Sequence, residues 1–228
     1  MLTWAIALRV LGLTLVAHGE SRVAMPVLQH ARDMALRDVG PKDARLAVYD
    51  DALAAGFRAR GRLRDALRYH REAVPVGGGV SLVERARTEI EGGDLQHAFA
   101  DLQQAKAAGS EVDAVAADAE AFARWVPAWV TVAAQAAATP GDGDDPAAVA
   151  TRGEALLAHG DRDGAATLLR AAVPELGDEP TRSALRIYIA LARATQEPQA
   201  ARAAVSAYQA MPEANRAAYD EMWDLSRR

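Results

Sequence analysis

In four segments of the 228-residue chain that resemble one another, a glycine is followed five positions later by alanine and twelve positions later by alanine again. The glycines are Gly19, Gly61, Gly93 and Gly160; the alanines are Ala24 and Ala31, Ala66 and Ala73, Ala98 and Ala105, Ala165 and Ala172. The chain holds 54 alanines, yet composition alone would fill only about two of those eight positions. The likeness also runs past the alanines. Leu13 to Ala31 aligns with Glu154 to Ala172, so that Ala17-His18-Gly19 falls on Ala158-His159-Gly160 and Leu28 on Leu169. A repeat of this kind constrains the fold strongly, because each copy is one supersecondary unit that buries its apolar face only by stacking on the next.

The spacing says which unit. Gly61 and Gly93 are 32 residues apart, and Gly93 and Gly160 are 67 apart, close to one and two periods of ~34 residues. A degenerate unit fills the wider gap, with helices near 113–124 and 127–138; Pro127 suits a first helical turn and Pro140 ends the second helix. Beyond Gly160 another unit fits if Thr195 takes the glycine position, which puts Ala200 and Ala207 on the two alanines. The step from Gly19 to Gly61 is 42 residues, so the Val39-Gly40-Pro41 turn joins lengthened helices. Ahead of each glycine stands a small residue and, three later, a large apolar one: Gly12 and Leu15, Ala54 and Phe57, Gly153 and Leu156. Ala86 is followed by Glu89, which breaks the pattern, and Tyr188 replaces the small residue of the last unit.

On these residues the chain resembles the tetratricopeptide-repeat (TPR) family over roughly its whole length. The resemblance implies an all-α, right-handed TPR-like superhelical solenoid of about six helix pairs plus a C-terminal capping helix. It would form a single domain over 1–228, with units near 1–38, 42–76, 79–109, 112–140, 146–176 and 180–211 and a cap at 212–228. It also implies an interaction module and no enzyme, in which the first helix of each pair lines a concave groove that holds a protein or peptide segment. The physics agrees with the pattern. Alanine at a helix contact lets the axes approach closely, glycine supplies a left-handed helix terminus, and Asp94, Asp161 and Glu20 suit the positive N-terminal end of the second helix.

Composition narrows the function. With no cysteine, disulfides, thiolate metal sites and cysteine nucleophiles are excluded. A net charge of -5 argues against nucleic acid as partner. Lys42 and Lys106 are the only lysines among 26 basic residues, a bias that reads as a GC-rich coding genome. No 18-residue apolar window lacks a charge, because Arg9 interrupts the stretch from Leu2 to Ala17, so a membrane span is not expected. That stretch also lacks a basic region ahead of its apolar run and has Leu15 where a cleavage site needs a small residue. It is therefore expected to stay in the mature fold of a cytoplasmic protein. Its helix is apolar on every side, and a stacked first helix has neighbours on one side only. A second copy, a partner or an upstream domain is expected to cover it through Trp4, Ile6 and Val10.

Motifs for chemistry are weak, and no cofactor or metal is expected. A calcium loop starting at Asp142 would need glycine at Ala147 and glutamate at Gly153. Gly77-Gly78-Gly79 lacks a following Lys-Ser/Thr and reads as a connector. The five histidines have no metal-ligand spacing, and His18 and His159 occupy equivalent repeat positions, which favours a structural role. Six arginines between Arg58 and Arg71 read as a solvated face offset by Asp65 and Glu72, and Trp125 and Trp129 read as packing. The groove candidates are Arg9, Leu13, Arg58, Arg87, Glu154, Ile189 and Arg193, a mixture of arginine and apolar residues suited to an extended segment bearing carboxylates. A ligand-sensing regulatory domain of a larger bacterial signalling or transcription-control protein is the alternative. An enzyme on an α-solenoid is disfavoured, since the motifs assemble no acid, base and nucleophile.

Overall fold

The computed structural model describes residues 2–124 and 143–211, and the structural statements below concern these residues. They form helices and turns with no strand. In order these are α1 (Leu2–Ala17), α2 (Ser21–Val39), a short 3-10 turn (Ala44–Leu46), α3 (Ala47–Ala59), α4 (Leu63–Glu91), α5 (Leu95–Ala107), α6 (Asp113–Arg124), α7 (Pro146–Ala158), α8 (Arg162–Ala172), α9 (Arg182–Thr195) and α10 (Pro198–Gln209). The expected helix 127–138 and the expected cap 212–228 lie outside the described residues.

The repeat is written into one turn. Gly19, Gly61, Gly93 and Gly160 all sit in the left-handed region, at φ between 71° and 84°. In each turn the amide after the glycine donates to the carbonyl five residues back: Glu20 to Leu15 at 2.9 Å, Arg62 to Phe57 at 2.9 Å, Asp94 to Glu89 at 2.8 Å, Asp161 to Leu156 at 2.9 Å. This closes the orphan carbonyls of the first helix in the Schellman manner and turns the chain into the second. Asp94 and Asp161 then cap that second helix by accepting the amides of His97 and Gly164, at 3.3 and 2.8 Å. Glu20, also expected there, makes no capping bond.

Seven of the eight repeat alanines have no exposed surface, Ala172 being half-buried. The small residue of the first helix faces a second-helix side chain nine positions after the turn glycine. A Cβ on Gly12 would collide with Leu28, and one on Gly153 with Leu169. The glycines thus permit a close helix approach in these hairpins. Gly40 ends the long α2 at φ 82°. At Gly77-Gly78-Gly79 the expected connector is a bend: α4 runs through it with Gly78 at φ 62°, ψ -141°, so its two halves serve successive hairpins.

The last hairpin corrects the expected register. Gln196, not Thr195, takes the left-handed position, at φ 58° with its amide on the Ala192 carbonyl at 2.8 Å. The left-handed residue here follows the helix directly, without the intervening cap residue of the glycine turns. Ala201 and Tyr208, 4% and 2% exposed, therefore occupy the places assigned to Ala200 and Ala207.

The helical hairpins stack on one another as an α-solenoid with one departure from nearest-neighbour contact. The segment 143–211 also lies along the turn edge of the first three hairpins. Gly143 abuts Gly19, Thr181 reaches Gly61, and Met211 packs on Gly93. Glu179 accepts the free amides of Leu63 and Arg64 at the start of α4, at 3.1 and 3.3 Å. Leu185 and Ile189 of α9 join α4, α5 and α6 in one apolar core, while Ile187, Ala190 and Leu191 pack on α7 and α8.

Candidate functional site

The first helices present their candidate groove residues unequally. Arg87 and Arg193 are exposed, with Arg87 3.3 Å from Glu84. Arg9 is half-buried with its guanidinium over the Tyr49 ring at 5.9 Å, and Leu13 is half-buried against Leu28 and Leu53. Arg58 donates to the carbonyl and carboxylate of Glu84, at 3.3 and 3.4 Å. Glu154 and Ile189 are not groove residues. Glu154 is 6% exposed and is gripped by both prongs of the Arg186 guanidinium, while Ile189 is 3% exposed in the core. Ile189 faces inward because α9 is packed by helices on two sides, and Glu154 on α7 is turned toward α9 by its pairing with Arg186.

Trp4, Ile6 and Val10 do stand in solvent, 71%, 46% and 52% exposed, joined by Leu11. The arginine-rich stretch is an ion-pair lattice: Arg62 and Arg68 hold Asp65, Arg64 lies 3.8 Å from Glu179, and Arg62 and Arg68 also cover the rings of Phe57 and Tyr69. In the acidic loop Asp144 pairs with Arg22 at 3.2 Å, and Asp145 caps α7 through the Ala148 amide at 3.0 Å. Burial pushes the Asp145 carboxyl up to about 6. No cluster of three metal-ligating side chains occurs among the described residues. His18 is exposed with Nδ1 2.8 Å from the Thr14 carbonyl, and His159 is exposed at the end of α7. Trp125, Trp129 and Asp142 lie outside the described residues.

Two clusters escaped the motif search. The first is a row of Asp51, His70 and Thr88: Asp51 Oδ1 is 3.1 Å from His70 Nδ1, and His70 Nε2 is 3.0 Å from Thr88 Oγ1, while Ser81 Oγ donates to Asp51 Oδ2 at 2.5 Å. The order acid, imidazole, hydroxyl is that of a nucleophile triad. Thr88 is 1% exposed, however, and its hydroxyl donates to the Glu84 carbonyl at 3.4 Å, so the row acts as an internal hydrogen-bond network. His70 occupies the second-helix position that Leu28, Leu102 and Leu169 hold in the other hairpins. That polar substitution was the available signal.

The second cluster is built around Glu89, the residue that breaks the apolar pattern. It lines a cavity of about 390 Å³ with Leu63, Leu67 and Arg71 from the first half of α4, Arg85 and Thr88 from the second half, Gly92 just past its end, and Asp94 and His97 at the start of α5. Arg85 gives both prongs to Asp101, at 2.5 and 2.6 Å, and lies 3.7 Å from Glu89. Burial, and then the nearby Asp101 charge, push the Glu89 carboxyl up to about 8. Asp94 holds His97 Nδ1 at 2.8 Å and raises that imidazole's proton affinity.

No protein-family model matches the chain. No curated protein matches it either. Among solved structures the chain is similar to a Podosopora anserina protein described as kinesin light chain nearly identical TPR-like repeats, at 14% identity and a TM-score of 0.41, covering 100% of this chain and 95% of that one. A point variant of the same repeats matches at 14% identity and a TM-score of 0.38, covering 97% and 92%. Among the described residues no helix is long and apolar enough to cross a membrane.

Proposed function

We propose that the chain is an interaction scaffold whose stacked first helices hold an extended acidic segment of a partner protein. The observation that carries this reading is the exposure of Arg87 and Arg193 on first helices, in a fold whose interior arginines Arg32, Arg85 and Arg186 are already committed to carboxylates. A guanidinium left in solvent on a rigid helix is a ready donor for carboxylates, with little ordering cost on the scaffold side. Arg9 and Arg58 flank it with part of their surface open, and Leu13 supplies an apolar contact. A dye-labelled peptide alternating glutamate and leucine tests the reading by fluorescence anisotropy. Arg87→Glu with Arg193→Glu is expected to weaken binding at least tenfold without changing the melting temperature. Equal affinity of wild type and variant overturns it.

The exposed face of α1 favours a second contact, with another copy of the chain. Trp4, Ile6, Val10 and Leu11 form an uncharged face on one helix, which is self-complementary under a two-fold axis.

A further inference from the structure

Carboxylates inside this fold come with donors. Asp50 holds Arg32, Asp101 takes both prongs of Arg85, and Glu154 takes both prongs of Arg186. Glu91 accepts the amide and hydroxyl of Ser183, at 2.8 and 2.5 Å. Glu89 is the exception. It is 9% exposed, and its Oε2 is the one carboxylate oxygen among the described residues that is buried without a hydrogen-bond partner. The nearest guanidinium belongs to Arg85, already spent on Asp101. An orphaned buried acceptor is costly to keep, and the residue that carries it lines an open cavity together with Leu63 and Leu67.

We infer that the cavity binds a primary alkylammonium group, its aliphatic stem along Leu63 and Leu67 and its N–H donors on Glu89 Oε2. The site is walled by second helices and by the end of one first helix, so it is separate from the groove reading and stands or falls without it. The shared chemistry is an ammonium on a short alkyl chain, whether a free amine or a lysine side chain of a partner protein. An ammonium brings three donors and no acceptor, which matches an unpaired carboxylate better than a hydroxyl would. Around Glu89 the facing charges are Arg85 on its own helix, Asp101 and His97 on α5, Asp94 at the cap of α5 and Arg71 on the first half of α4. Arg85 and His97 are engaged by Asp101 and Asp94 and Arg71 stands exposed to solvent, so the ionised Glu89 is the buried charge left without a hydrogen-bond donor.

Entry of the cation exchanges it for a proton. At neutral pH the Glu89 carboxyl is protonated, and it loses that proton to solvent as the ammonium takes its place. Affinity then follows the ionised fraction of Glu89 and is expected to be roughly tenfold weaker at pH 7 than at pH 9.

Titration calorimetry and ligand-observed NMR on the full chain test this with four probes: n-butylamine, n-butanol as neutral isostere, acetate as anion, and N-acetyl-lysine amide. The expected result is butylamine binding that strengthens with pH and releases about one proton at pH 7, read from the dependence of the heat on buffer ionisation. Glu89→Gln is expected to lose that binding while retaining its fold. Binding of N-acetyl-lysine amide as tightly as butylamine assigns the site to lysine side chains, and its failure assigns it to free amines. Equal binding of butanol, preference for acetate, an affinity independent of pH, full binding by Glu89→Gln, or no butylamine binding at tens of millimolar each overturns the proposal. The pH dependence is read on the wild-type chain alone and does not depend on the variant folding.

Discussion

Replacing Glu89 with glutamine should make the protein more stable in base and leave it nearly unchanged in acid. The native carboxyl titrates at about 8 against an ordinary value of 4.5, so it keeps its proton where the unfolded chain has lost its own. The native state binds more protons than the unfolded state across that window, and stability falls as pH rises from 4.5 to 8. Below the window both states are protonated; above it both are ionised and the whole penalty persists. At about 1.4 kcal/mol for each tenfold in proton affinity, the shift corresponds to a penalty of at most roughly 5 kcal/mol. The attraction of Arg85, 3.7 Å away, is already contained in that net shift, and solvent screening of the incompletely buried carboxyl lowers the expected gain to about 2–4 kcal/mol. Asp145 has a folded value pushed up to about 6 and costs stability in the same direction between 3.8 and 6, but it is common to both proteins and cancels in the difference. Urea unfolding followed by far-ultraviolet circular dichroism at pH 5, 7 and 9 reads the effect. The gap between variant and wild type should be smallest at pH 5 and widen through pH 9. A constant gap would refute the claim that a desolvated carboxyl is the cause.

Three other perturbations follow from the packing. Ala98→Leu, at a site with no exposed surface, should cost about 1–3 kcal/mol by overpacking, whereas Ala172→Leu, half-buried, should cost clearly less in the same thermal melts. Glu154→Ala strands the buried Arg186 charge and should cost about 3–5 kcal/mol, while the double change to leucine at both positions should recover most of it; a double mutant as unstable as the single would count against this. Light scattering should show concentration-dependent association of the wild type that Ile6→Glu with Val10→Glu abolishes, and a monomeric wild type at high micromolar concentration would dismiss the α1 face as a contact between copies.

What could be read in advance was what is local. The glycine turns are set by six consecutive residues and one backbone geometry, so Gly19, Gly61, Gly93 and Gly160 announced themselves. The final turn did not, because a non-glycine residue, Gln196, adopts the left-handed conformation there and moves the hairpin register by one. Glu89 was visible as a misfit at an apolar position. Its meaning depended on Arg85 being diverted to Asp101, a contact made on the neighbouring helix. Glu154 and Ile189 were misplaced because helical spacing tells which residues share a face, not how many neighbours the helix has. The solvent side of α1, by contrast, carries the three residues named from a helix apolar on every side, Trp4, Ile6 and Val10.

A row of hairpins held only by adjacent contacts behaves as a spring, and it can melt from one end a repeat at a time. The contacts laid along the turn edge remove that freedom. Arg22 meets Glu175 across 153 positions of chain, Leu63 meets Glu179 across 116 and Ser183 meets Glu91 across 92. Such clasps fix the distance between the ends, so the pitch is not free to open and close around differently sized partners. They also delay folding, because long loops must close before these bonds form. Loss of the last hairpins would uncap the start of α4 and leave the amides of Leu63 and Arg64 without Glu179. The array should then come apart in one cooperative step, and its hairpins should not prove interchangeable modules.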